Sequence, residues 1–119
     1  MPKVAITQNR DIELAIREAL SHLDLEEIIR GKIVAVKPNE TWASKKDLTA
    51  VTQGDTLRAV LRYLKTLRPK TLILSGGARA AETDEIFRIS GMMKAIEEEG
   101  AEFFNHNRGA FKGSQAADG

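Results

Sequence analysis

The sequence predicts a three-layer α/β domain with a mainly parallel sheet of about four strands. Two observations carry that expectation. Four short apolar runs, Val4-Ala5-Ile6, Ile33-Val34-Ala35-Val36, Leu72-Ile73-Leu74 and Phe103-Phe104, are separated by stretches of helical spacing, and strands alternating with helices imply a parallel sheet. Each run also passes directly into polar, loop-forming residues: Thr7-Gln8-Asn9, Lys37-Pro38-Asn39, Ser75-Gly76-Gly77 and Asn105-His106-Asn107. In a parallel sheet those exits share one edge, and ligands of open α/β sheets collect outside the carboxyl ends of the strands. Function is expected at that edge.

The elements follow in order. After the first run, Ile12, Ile16, Ala19, Leu20 and Leu23 form one helical stripe, with Asp11 and Glu13 in the opening turn, where carboxylates favour the positive end of the helix dipole. Asp24-Leu25-Glu26-Glu27 has the form of a capping box opening a short helix that stops at Gly31. The next strand, Lys32 to Val36, is unbroken and rich in β-branched residues, as expected of a strand buried on both faces. Pro38 to Gly54 shows no periodicity, and a loop of this length is either functional or mobile. It carries the only tryptophan, Trp42, which has two readings. One is an anchor folded back onto the sheet, since aromatic burial is a large gain; the other is a lid over a ligand.

Leu57, Val60, Leu61, Leu64 and Leu67 predict an amphipathic helix ended by Pro69. The third strand then enters the glycine turn. Thr83 is placed to cap the following helix, with Asp84 and Glu85 in its first turn. Gly91 divides that helix in two, because glycine inside a helix costs about 1 kcal/mol relative to alanine, and Gly100 stops the second piece. The last strand starts near Glu102. The expected organisation is a single domain over residues 1–107 followed by a flexible tail, 108–119, which is small, polar and glycine-punctuated.

Composition narrows the function classes. Hydrophobic residues make up 42% and charged residues 29% of 119, a globular balance for one domain. With 18 basic against 17 acidic residues, the chain lacks the basic excess of a nucleic-acid binder. No apolar run approaches the ~20 residues of a membrane span, and Met1-Pro2-Lys3-Val4 carries no signal-peptide pattern. A cytoplasmic location is the expectation. There is no cysteine, so no cofactor is predicted and a thiolate-held iron–sulfur cluster is not expected.

Candidate ligand contacts lie at the strand exits. Ser75-Gly76-Gly77-Ala78-Arg79 joins a strand to a helix, where close-approaching amides and a helix start suit an anion and Arg79 adds a bidentate clamp. A plain tight turn explains the same two glycines. In Lys37-Pro38-Asn39 the proline keeps Lys37 extended, which projects a cation and the Asn39 amide at the strand end; a solvated lysine before a strand-ending proline is the alternative. His106 adds an imidazole at the same edge, whereas His22 sits on the first helix. Asp84 and Glu85 have metal-ligand chemistry, but their place in a first helical turn already accounts for them. The sequence offers no spacing from which a Ser–His–Asp triad can be argued.

Taken together, Gly31-Lys32-Ile33-Val34-Ala35-Val36-Lys37-Pro38-Asn39, Val51-Thr52 before Ala59-Val60, the glycine turn, Thr83-Asp84-Glu85-Ile86-Phe87, Ser90-Gly91 and Gly100 resemble the N-terminal half of the family called domain of unknown function 362. The resemblance spans roughly residues 3 to 107, and its most specific piece is the Lys-Pro-Asn strand end. Members are commonly longer, and many carry cysteine-rich ferredoxin-like segments, which implies a redox or electron-transfer setting. This chain departs from the pattern in having no cysteine, in stopping near the middle of the family domain, and in placing Asn105 where an aspartate is expected. The first two departures imply a fragment or a stand-alone half.

The expected function is binding of a small anionic ligand by Lys37, Asn39, Ser75, Gly76, Gly77 and Arg79. Expected partners are that ligand and either a second copy or a redox partner, with neither nucleic acid nor membrane. The competing expectation is a non-catalytic interaction or scaffold domain. No reaction is read from the sequence.

Overall fold

A computed structural model describes residues 2–77 and 80–106. Its elements run α1 (Ile12–Ser21), α2 (Glu26–Ile29), β1 (Ile33–Val36), α3 (Gly54–Thr66), β2 (Thr71–Gly76), α4 (Ala80–Ile89), α5 (Met92–Glu98) and β3 (Glu102–Asn105). The three strands form one parallel sheet in the order β1-β2-β3. The α/β class and the parallel sheet with flanking helices are therefore present, with three strands where about four were expected.

The missing strand is the first apolar run. Val4 and Ile6 are 83% and 91% exposed, and just after them the Thr7 hydroxyl donates to the Ala15 carbonyl of α1 at 2.6 Å. Three apolar residues suit a pleated surface, but a strand exists only where another strand's edge accepts its hydrogen bonds. Among the described residues none does.

The register explains a second departure. Val34 pairs with Leu72, Val36 with Leu74 and Leu74 with Phe103, so these side chains share one face of the sheet. That face packs on Leu57, Leu61 and Leu64 of α3, Phe87 of α4, and Met92 and Ile96 of α5. The opposite face carries Ile33, 65% exposed, with Ala35 and Phe104 also exposed. Successive strands added in one direction through right-handed crossovers put their helices on the same side. The sheet is thus covered on one face among the described residues, which corrects both the three-layer expectation and the reading of β1 as buried on both faces.

Local signals behave unevenly. Asp11 caps α1, accepting from the Glu13 and Leu14 amides at 3.0 and 3.2 Å. The Asp24 capping box does not form; Leu25 stands at that cap without a side-chain bond. Gly91 separates α4 from α5 at φ +84°, a conformation glycine adopts at little cost, and its backbone lies so close to Gly54 that a Cβ there would sit 2.8 Å from it. The expected flexible tail lies outside the described residues.

Glu99, at the end of α5, is buried and meets Arg58, Arg62 and Lys65 of α3 at 3.2, 3.1 and 3.5 Å. Burial acts to raise its pKa, but the hydrogen bonds and charges of Arg62 and Lys65 outweigh it and hold the carboxyl below the 4.5 of a free glutamate. A depressed folded pKa adds stability above the unfolded value, and that stability is lost as pH falls through the folded one. Urea midpoints should therefore fall below pH ~4.5, and Glu99→Gln should flatten that acid limb. At neutral pH the substitution should cost ~1.5–3 kcal/mol, the range for hydrogen bonds to charged groups. The larger cost of breaking a fully buried pair does not apply, because the three cations are 25%, 45% and 48% exposed and rehydrate. An unchanged acid limb in the variant would contradict this assignment.

Candidate functional site

Residues 37–53, between β1 and α3, hold no helix and only an isolated bridge, Ser44 with Asp47. The stretch is closed at its neck. Asn39 exchanges backbone bonds with Thr52, donating its N–H to the threonine hydroxyl at 3.0 Å and accepting the Thr52 N–H at 2.9 Å. Its side-chain nitrogen donates to the Ala50 carbonyl at 2.7 Å. Gln53 reaches back to the Leu48 and Val51 carbonyls at 2.7 and 3.0 Å. Lys37 and Asn39 were both expected to face a ligand; the Asn39 amide nitrogen instead fastens this loop.

The loop's next residue, Glu40, is the pivot of the strand-end edge. It is 5% exposed, accepts the Gly77 amide at 2.7 Å on one oxygen, and accepts the Thr83 hydroxyl at 3.3 Å on the other. One carboxylate thus joins the loop, the end of β2 and α4. Thr83 accordingly does not cap α4, which begins at Ala80, and is buried inside it. Beside this group the Asn105 amide at the end of β3 donates to Asp84 at 2.9 Å.

The glycines matter for close approach. A Cβ on Gly76 would lie 2.7 Å from Phe87 and 3.0 Å from Glu40, and one on Gly77 would lie 2.8 Å from the His106 side chain. Neither has a positive φ, so crowding rather than a left-handed backbone is what calls for glycine at both positions.

Above this bonded floor opens a cleft of about 250 Å³ lined by Lys37, Glu40, Thr41, Gly77 and His106. Of the residues expected to bind a ligand, Lys37 and Gly77 line it, Gly76 backs it, Asn39 positions the loop, and Ser75 is buried within β2. Arg79 lies outside the described residues, as does Asn107. Glu40 and Thr41 were missed. An amide-rich turn at a strand end needs an acceptor, but Glu82 and Asp84 lie far nearer to it in sequence than Glu40 does, so spacing alone did not single out the acid following Lys-Pro-Asn.

A second cleft, about 350 Å³, adjoins the first through Thr41 and is lined by Trp42, Ala43, Glu82, Glu85 and Ile86. Trp42 is 57% exposed, so it does not anchor the loop on the sheet. Glu85 is held by Arg88 at 2.5 and 3.1 Å, and that bond keeps its carboxyl below the usual range. Among the described residues no group of three or more His, Asp or Glu is placed to hold a metal ion.

A larger cleft, about 420 Å³, lies at the opposite edge between Lys65, Arg68, Lys70, Glu99 and Glu102. The strands' amino ends meet helix C-termini, where carbonyls gather, whereas their carboxyl ends meet helix N-termini and amide donors. We therefore place the candidate site at the Lys37 edge.

A parallel α/β sheet with its cleft at the strand exits defines the class. Within it, the family model described as Domain of unknown function (DUF362) matches residues 34–118, well over half of the chain, and the chain belongs to that family. No curated protein and no solved structure matches it.

Proposed function

We propose that this is a small-molecule-binding domain that holds an anionic group at the carboxyl ends of its strands. The observation that carries the reading is the cleft lined by the exposed Lys37 with Thr41, Gly77 and His106, over a floor already fixed by hydrogen bonds. Because Gly77 donates to Glu40, the charge complement falls on Lys37 and Arg79 rather than on the glycine amide. The ferredoxin-like segments implied by the resemblance make a redox assembly the natural setting, with any cluster supplied by another segment or protein. Cytoplasmic location is part of the same proposal.

Thermal unfolding with phosphate and with dicarboxylates tests this. A ligand at about 100 times its Kd adds ~2.7 kcal/mol, which raises Tm by several degrees in a domain of this size. Lys37→Ala should leave the unliganded Tm almost unchanged, since exposed substitutions stay within about 0.5 kcal/mol, and should abolish the ligand-dependent rise. Phosphate also stabilises proteins by exclusion, so an equal rise in wild type and variant would count against the site.

The sheet face left open among the described residues favours a second reading, a scaffold domain. Parallel sheets are nearly always covered on both faces, and here Ile33 and Phe104 stand exposed on one. Concentration-dependent sedimentation that Ile33→Lys abolishes would favour it.

A further inference from the structure

We infer that the ligand is an anion carrying a planar aromatic ring, of the nucleoside monophosphate type, with its anionic group at Lys37 and its ring laid on Trp42. This rests on the anion-site reading and adds the chemical class. Small-molecule sites usually measure ~300–1,000 Å³, and the Lys37 cleft, at about 250 Å³, falls short of that alone. The neighbouring cleft, about 350 Å³, has Thr41 in common with it, so a ligand of ordinary size that starts at Lys37 reaches that second cleft by passing over Thr41. What it meets on the far side is an exposed indole, with Ala43 and the buried Ile86 behind.

An indole left open to water beside an apolar floor gains most from a flat partner, because aromatic rings stack on one another and on bases. The acidic residues fix the rest of the ligand. Glu82 and Glu85 edge the ring's cleft, where carboxylate oxygens accept from amino groups on a ring, while Arg88 and Lys45 offset the charge of Glu85. Glu40 borders the other cleft. Lys37 is the one cation among the described lining residues of the two clefts, which suits a single anionic group rather than a polyphosphate chain.

Trp42 is the only tryptophan, so its fluorescence reports the ring's cleft directly. The probes are adenosine 5′-monophosphate, adenosine triphosphate, adenosine, ribose 5-phosphate and inorganic phosphate, with calorimetry measuring affinity where no signal changes. The monophosphate should quench Trp42 saturably and bind roughly tenfold or more tighter than ribose 5-phosphate, the scale of one stacked base. Trp42→Ala should reduce its affinity to that of ribose 5-phosphate and leave ribose 5-phosphate binding unaltered. The triphosphate should bind no tighter than the monophosphate. Equal binding of the monophosphate and ribose 5-phosphate, or an unaffected Trp42→Ala, overturns the ring while phosphate binding still upholds the anion site. Adenosine binding as tightly as its monophosphate overturns the bipartite ligand. If phosphate, ribose 5-phosphate and the monophosphate all fail to bind, the anion site itself falls and this inference with it.

Discussion

Phe87→Ala is expected to remove about 3–5 kcal/mol of stability, the range for emptying a buried phenylalanine site. Phe87 is fully buried in α4, its ring lies 4.7 Å from that of Phe103 at 56°, and it reaches the backbone of Gly76. It therefore joins a helix to two of the three strands whose exits frame the cleft. How far Phe103 and the surrounding core move into the vacated space sets where in that range the loss falls. Single domains hold only ~5–15 kcal/mol in all, and the variant should be substantially unfolded at modest urea concentrations. Phe87→Leu keeps more of the volume and should lose distinctly less. Urea unfolding followed by circular dichroism checks both; a loss below 1 kcal/mol for the alanine variant would mean that this contact does not hold the layers together.

Glu40→Ala is expected to cost nearly as much, through a different mechanism. A buried donor left without an acceptor costs about 1–3 kcal/mol, and the variant removes the carboxylate to which the Gly77 amide and the Thr83 hydroxyl both donate. Glu40→Gln keeps one carbonyl oxygen for Gly77 and should recover part of the loss. The alanine variant should also free the 37–53 loop, so that its amides exchange with solvent faster while those of α3 and β2 keep their protection. Uniform loss of protection would instead make Glu40 a general stabiliser of the fold. A fall of less than 1 kcal/mol would show that water replaces the carboxylate.

The sequence made the repeating parts of this fold legible. Ile33 to Val36, Leu72 to Leu74 and Phe103-Phe104 read as strands and are strands, because apolar runs flanked by helical spacing constrain local geometry strongly. The α3 stripe and the Gly91 break were equally plain, each set by residues within one or two turns. Val4 to Ile6 was misread for the converse reason: its pattern is compatible with a strand, but a strand needs an edge to pair with. Layer count failed similarly, since it depends on strand order, which no local spacing encodes. Thr83 was read as a cap because threonine favours that position, whereas its hydroxyl found a carboxylate more than forty residues away in the chain.

At the site, the edge was legible and its wiring was not. Lys37 and Gly77 do meet at one cleft, as the shared strand exits implied. The roles of Asn39 and Glu40 depend on how residues 37–53 close on themselves, and a loop without periodicity gives no register from which to read that closure. Trp42 shows the limit most clearly. Burial is the usual fate of an indole, and only the three-dimensional arrangement places it beside a helix with its face open.

The central claim is that the Lys37 edge, and not the opposite end of the sheet, receives an anion. Amide chemical shifts of the isotope-labelled chain, followed by NMR during titration with inorganic phosphate, test it most directly. The account predicts saturable shifts concentrated in residues 37–42, 76–77 and 106, lost in Lys37→Ala. Shifts centred instead on Lys65, Arg68 and Lys70 around the other cleft, or scattered without saturation, would contradict it.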